Sequence, residues 1–213
     1  MQPLFIDLRG KKVVIAGGGR IAARKARVLE EEGADITFIA PAFSEEALLI
    51  AESKGYGLIE RKAAAADFTD AFLAILATND RSANDELQKA LPANQLVCVV
   101  DEFETGNVTF PARVRRGGLQ IAVTSGGTSP KLTRKLKKEL EVLFDETWSV
   151  YTEFLGNCRL VIKRLDLPAE KKDRLLWSLL EDEYRLSESK QEEKAEEIRR
   201  MAESVREDSE AVW

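Results

Sequence analysis

The chain contains no histidine among its 213 residues. That excludes histidine metal ligands, Ser–His and Cys–His nucleophile pairs and an imidazole general base. Any acid–base step falls to a carboxylate, lysine, tyrosine, cysteine or the substrate itself. Cysteine is nearly as scarce. Cys98 and Cys158 lie far apart, without CxxC spacing, and are expected as two reduced, buried thiols. No apolar run approaches the roughly 20 residues of a membrane-spanning helix. Met1-Gln2-Pro3-Leu4-Phe5 lacks the basic flank and long apolar stretch of a secretory leader. A cytoplasmic protein with no membrane partner and no metal site is expected. The net charge of −5 argues against a nucleic-acid partner.

What is present is an alternation of short apolar runs and helical patterns. Lys12-Val13-Val14-Ile15-Ala16 is rich in β-branched residues and stops at Gly17-Gly18-Gly19, as a buried strand does. Ile21, Ala22, Ala26 and Leu29 then recur at helical spacing, with Gly33 as the stop. Ile36-Thr37-Phe38-Ile39-Ala40 is a second strand, ended by Pro41, and completes a βαβ unit. Ser44 fits an N-cap ahead of Glu45 and Glu46. Strands over 58–60, 72–78 and 96–100 follow, with a helix over 81–91. Strands apolar on both faces and spaced by helices imply a parallel sheet covered on both sides.

After Phe110-Pro111 the pattern changes. Leu119, Ile121 and Val123 alternate with more polar neighbours, so that strand has one exposed face. Ser125-Gly126-Gly127-Thr128-Ser129-Pro130 reads as a turn into a helix, with Ser129 at the N-cap and Pro130 in the first helical position. Leu132, Leu136, Leu140 and Leu143 form an apolar stripe. Helical segments continue over 150–165 and 175–180. The charged tail from Ser187 reads as a solvated helix or as disorder.

Gly17-x-Gly19-x-x-Ala22 sits between a strand and a helix, the setting of the dinucleotide fingerprint. Gly17 permits the tight turn, Gly19 the approach of a pyrophosphate, and Ala22 close helix packing. The helix N-terminus adds amide donors for phosphate. One feature departs from the pattern. The second strand ends Ile39-Ala40-Pro41-Ala42, without the Asp or Glu that holds the adenosine ribose, so backbone around Pro41 and Ala42 takes that end. No charge there decides NAD against NADP. Arg20 is either a phosphate partner or a surface residue. Thr78-Asn79, at the end of a strand, either faces the cofactor or builds the cap of the next helix. Asp101, also at a strand end, is either a proton acceptor or a turn residue, with Glu102 and Glu104 close by. The serine loop is either a helix cap or an anion site. Arg113, Arg115, Arg116, Lys131, Arg134, Lys135, Lys137 and Lys138 flank it, and their clustering in an acidic protein favours a polyanionic ligand.

The segments from Val14 to Gly19, Ala22 to Ala26, Ala77-Thr78-Asn79-Asp80, Val99-Val100-Asp101, Phe110-Pro111-Ala112 and Ser125 to Pro130 resemble, in the same order, the precorrin-2 dehydrogenase family, also found as the N-terminal module of siroheme synthase. The resemblance covers about residues 1–145. It implies NAD as cofactor, a tetrapyrrole substrate with eight carboxylates, and oxidation of precorrin-2 to sirohydrochlorin. It implies a homodimer. It places cofactor contacts at Arg20, Ile21, Pro41 and Ala42, which join Gly17, Gly18 and Gly19 of the fingerprint and Thr78 and Asn79 of the strand end as the expected cofactor site. It assigns Asp101 to proton abstraction or substrate orientation, and Ser125 to substrate binding, with Gly126, Thr128, Arg113 and Lys131 beside it. Some members also insert iron; a non-catalytic NAD sensor is the rival of another class. The expected architecture is α/β: a Rossmann-like parallel sheet over 1–112, a dimerisation and substrate segment over 113–145, and a helical region over 146–213.

Overall fold

The computed structural model describes residues 1–100 and 105–210, with side chains described as far as 203. The chain divides into two compact units, Met1–Phe110 and Pro111–Trp213.

The first unit is built on β1 (Lys12–Ala16), α1 (Arg20–Leu29), β2 (Asp35–Ala40), α2 (Glu45–Lys54), β3 (Gly57–Glu60), β4 (Leu73–Leu76), α3 (Arg81–Ala90) and β5 (Leu96–Val99). The five strands are parallel, in the order β3-β2-β1-β4-β5. Alternate side chains go to opposite faces. Val13, Ile15, Ile36, Phe38 and Ile75 meet Ala22, Ala26 and Leu29 of α1 and Ile50 of α2. Val14, Ala16, Ile39, Ala74 and Leu76 meet Phe68, Leu87 and Leu91 on the other side. Burial on both faces explains why these strands are unbroken apolar runs. β3 is the exception: it lies at the sheet edge and all four of its residues are exposed. Order reverses at the β1–β4 pair, and in such sheets the crevice at the strands' carboxyl ends holds the ligand.

Caps follow the sequence. Ser44 accepts the Ala47 N–H at 3.3 Å, and Asp80 accepts the Ala83 N–H at 3.2 Å. Glu30–Glu32 tighten into a 3₁₀ turn before Gly33, which takes φ 64°. Between β3 and β4, Arg61 grips Asp67 with two bonds of 2.6 and 2.7 Å, and the Asp67 carboxylate also accepts the Ala64 N–H at 2.8 Å.

In the second unit β6 (Ala112–Arg116) and β7 (Leu119–Val123) form an antiparallel hairpin closed by Gly117 and Gly118. Gly117 needs its φ of 55° for this turn. β6 was not evident in the sequence, because three arginines in five residues mask its alternation around buried Val114. α4 (Pro130–Leu143) packs on the hairpin without fully burying any residue; Val142 is 81% exposed and Leu143 67%. α5 (Thr147–Arg164), α6 (Ala169–Ser178), α7 (Asp182–Leu186) and α8 (Glu188–Glu210) close around Tyr151, Phe154, Cys158, Ile162, Leu179 and Ile198. Phe144, Trp148, Tyr151, Phe154 and Tyr184 form a chain of ring contacts with centroids 5.0 to 6.4 Å apart. The tail is therefore not merely solvated: α8 seals this core with Ile198.

Both cysteines are free and buried, and burial pushes both thiols above their ordinary pKa. Among the described residues no helix is long and apolar enough to cross a membrane, and no His/Cys/Asp/Glu group has the arrangement of a metal site.

Candidate functional site

The first cluster forms where β1 ends. Gly17 takes φ 130°, a conformation that side chains rarely adopt, and a methyl on it would overlap the Ala77 carbonyl beyond β4. A methyl on Gly18 would overlap the Ala42 carbonyl and come within 2.9 Å of the Ala40 Cβ. The Gly17 N–H donates to Ile39 O at 2.9 Å, and Gly18 O accepts the Ser44 N–H at 2.7 Å. The turn is thus bolted to the end of β2 and to the loop carrying Pro41 and Ala42, both exposed. Gly19 differs from its neighbours: nothing lies within 4 Å of the methyl it lacks.

These residues suit a dinucleotide. Gly19 caps α1 without a side-chain hydrogen bond, and the first turn carries no acidic residue. The amides of Arg20, Ile21 and Ala22 stand at the helix N-terminus, where such groups suit phosphate oxygens, and Gly19 leaves that face open. Arg20 and Ile21 are exposed there, while Ala22 is fully buried and lets α1 sit close on the sheet. The group that would occupy this cradle accepts hydride.

The end of β4 adjoins the turn, and β5 ends one strand further out. The Thr78 hydroxyl donates to Asn84 Oδ1 at 2.7 Å and accepts the Asp80 N–H at 3.2 Å, so its polar atoms build the cap of α3; Asn79 is exposed. Asn84, buried and unremarked in the sequence, returns a bond to Thr78 O at 3.3 Å. A polar residue one turn into a helix whose cap already looked complete gave no warning of that role. The Val100 N–H donates to Leu76 O at 2.9 Å, which fixes Val100 at the sheet's carboxyl edge. Asp101, Glu102 and Glu104 lie outside the described residues. Beyond them, Gln88 bonds the Thr105 carbonyl, and Asn107 clasps β5 by accepting from Val97 N–H at 2.7 Å and donating to Gln95 O at 2.6 Å. Phe110 packs on the α1 side of the core, with Lys25 Nζ 4.6 Å from its ring centroid.

The second cluster belongs to the other unit. Ser125 Oγ accepts from the Ser129 N–H at 3.0 Å and lies 3.0 Å from the Thr133 hydroxyl, which also reaches Ser129 O at 3.3 Å. Ser129 caps α4 through Leu132 N–H at 3.2 Å. Cap and candidate ligand group are thus two different serines. Gly126 and Gly127 take φ 60° and 83°, and Gly126 and Thr128 are exposed. Lys131 is exposed on the first turn of α4, and Arg113 stands opposite Ala122 in the hairpin. Thr133, which holds Ser125, has no signature in the sequence beyond lying four residues after the cap.

Known proteins match both clusters. The NAD(P)-binding family model matches residues 4–112, the sirohaem biosynthesis protein central model 116–143, and the SirC C-terminal domain model 148–194. A precorrin-2 dehydrogenase of Priestia megaterium is 37% identical over 199 residues, covering 93% of this chain and 98% of the relative. The chain belongs to the precorrin-2 dehydrogenase family. A second precorrin-2 dehydrogenase, from Bacillus subtilis (strain 168), is 39% identical over 145 residues, 68% of this chain and 90% of its own. The solved structure of SirC, precorrin-2 dehydrogenase, superposes with a TM-score of 0.82 at 36% identity, over 94% of this chain and all of that one. The family likeness extends through the C-terminal helices, beyond the 1–145 that the sequence motifs covered.

Proposed function

We propose that this protein oxidises precorrin-2 to sirohydrochlorin with NAD, a step of siroheme biosynthesis. The observation that carries the reading is the likeness to precorrin-2 dehydrogenases along nearly the whole chain, with both units represented. Gly17, Gly18, Gly19, Arg20, Ile21, Pro41 and Ala42 hold the cofactor, with Thr78 and Asn79 shaping the neighbouring strand end. Asp101 takes the proton that leaves as hydride is transferred. Ser125 donates to a substrate carboxylate, with Gly126, Thr128, Arg113 and Lys131 around it. Eight carboxylates give the basic stretch a purpose in charge-assisted pairing and steering. The segment 113–145 also makes a homodimer, supported by the exposed Leu132, Val142 and Leu143. The free, buried thiols suit the cytoplasm.

The test is anaerobic turnover of precorrin-2 with NAD, read by NADH formation and the sirohydrochlorin spectrum. Asp101→Asn is expected to keep NAD affinity and lose most turnover. NAD binding without turnover in the wild-type protein would transfer the reading to a sensor. Added ferrous iron in the same assay reads chelation separately.

A further inference from the structure

The end of β2 lacks the carboxylate that this fold places at the adenosine ribose. The register of the sheet supplies one from the next strand. β2 and β3 are parallel, with Ala40 opposite Glu60. Opposed residues on paired strands emerge from the same face. That face is the one bearing the glycine turn, because the Ala40 Cβ is among the groups a methyl on Gly18 would strike. Neighbouring strands lie about 4.8 Å apart, so Glu60 stands one strand spacing from the missing acid, on its side of the sheet. It is the last residue of β3 and is exposed. Arg61, next in the chain, does not offset it, since its guanidinium is engaged by Asp67.

We propose that Glu60 is the specificity residue for the cofactor: its carboxylate accepts from the adenosine ribose hydroxyls and repels a 2′-phosphate, favouring NAD over NADP. The proposal rests on the reading that the glycine turn holds NAD. Lys62 is exposed two residues further on and carries the opposite charge, so it is the natural control.

The experiment is calorimetric titration of NAD and of NADP into the full-length protein, wild type, Glu60→Gln and Lys62→Gln, at low and moderate salt. Glu60 is exposed, so its isosteric amide leaves the fold intact. The expected result is a wild type that prefers NAD, and a Glu60→Gln variant that binds NADP about fivefold more tightly, the size of one like-charge contact near water. Salt should narrow the preference in the wild type and barely alter it in the variant. An unchanged NAD-to-NADP ratio in Glu60→Gln overturns the proposal, as does a wild type that prefers NADP or a ratio moved by Lys62→Gln alone. A wild type that binds neither nucleotide removes the glycine-turn reading itself, and this assignment falls with it.

Discussion

Gly17, Gly18 and Gly19 are identical in the sequence, and their surroundings set them apart. Gly18 is closed in by the Ala42 carbonyl and Phe43, whereas Gly19 faces open space. Gly18→Ala is therefore expected to destabilise the first unit by about 2–3 kcal/mol, the range of overpacking in a close-packed site. Gly19→Ala should cost only about 0.5–1 kcal/mol, as a poorer N-cap, yet lose about tenfold or more in NAD affinity, because its methyl stands where the phosphates enter. Thermal melts with parallel NAD titrations check both, and equal melting losses would contradict the assignment. Spacing alone located the turn; which glycine carries packing and which carries ligand depends on Ala42, brought in from the end of β2. A second residue-scale effect is acid sensitivity. Arg61, and then the Ala64 N–H, hold the Asp67 carboxyl below its ordinary pKa. Its stabilisation is present above the unfolded value and lost as pH falls through the folded one. Asp67→Asn should melt a few degrees lower at neutral pH, with the gap closing below roughly pH 4; a gap independent of pH would refute the clamp.

At the scale of elements, the serine loop separates two roles that the sequence left joined. Ser129→Ala removes a helix cap and should cost about 1 kcal/mol with little change in KM for precorrin-2. Ser125→Ala should raise that KM while leaving most of the stability. Steady-state kinetics with denaturant melts would show the two variants behaving alike if Ser125 were only part of the cap. The capping of α4 was readable because Ser129-Pro130 precedes an apolar stripe. β6 was not, because Arg113, Arg115 and Arg116 give a strand the composition of a charged loop. The register that opposes Glu60 to Ala40 was equally out of reach, since strand order comes from packing and not from local spacing.

For the whole molecule, the apolar side chains that α4 leaves in water depart from what a self-sufficient monomer needs. Val142 and Leu143 carry the argument. Leu143→Glu is expected to convert a dimer into monomers in sedimentation, with the fold retained by circular dichroism; a wild type that sediments as a monomer at micromolar concentration would end the dimer reading. A parallel sheet covered on both sides was implied by the alternation of strand and helix, since every strand of it but β3 is an apolar run. The C-terminal core was not, because Ile198, with Ala195, Met201 and Ala202 at helical spacing, makes only a thin apolar stripe among charges and its partners Tyr151, Cys158 and Leu179 lie in other helices. The aromatic chain in that core has a consequence for observation. All three tryptophans, Trp148, Trp177 and Trp213, belong to the second unit. Indole fluorescence therefore reports from the second unit, while the native chromophores of the nucleotide-binding unit are tyrosine and phenylalanine, so an indole probe and a tyrosine probe would report from different parts of the same chain.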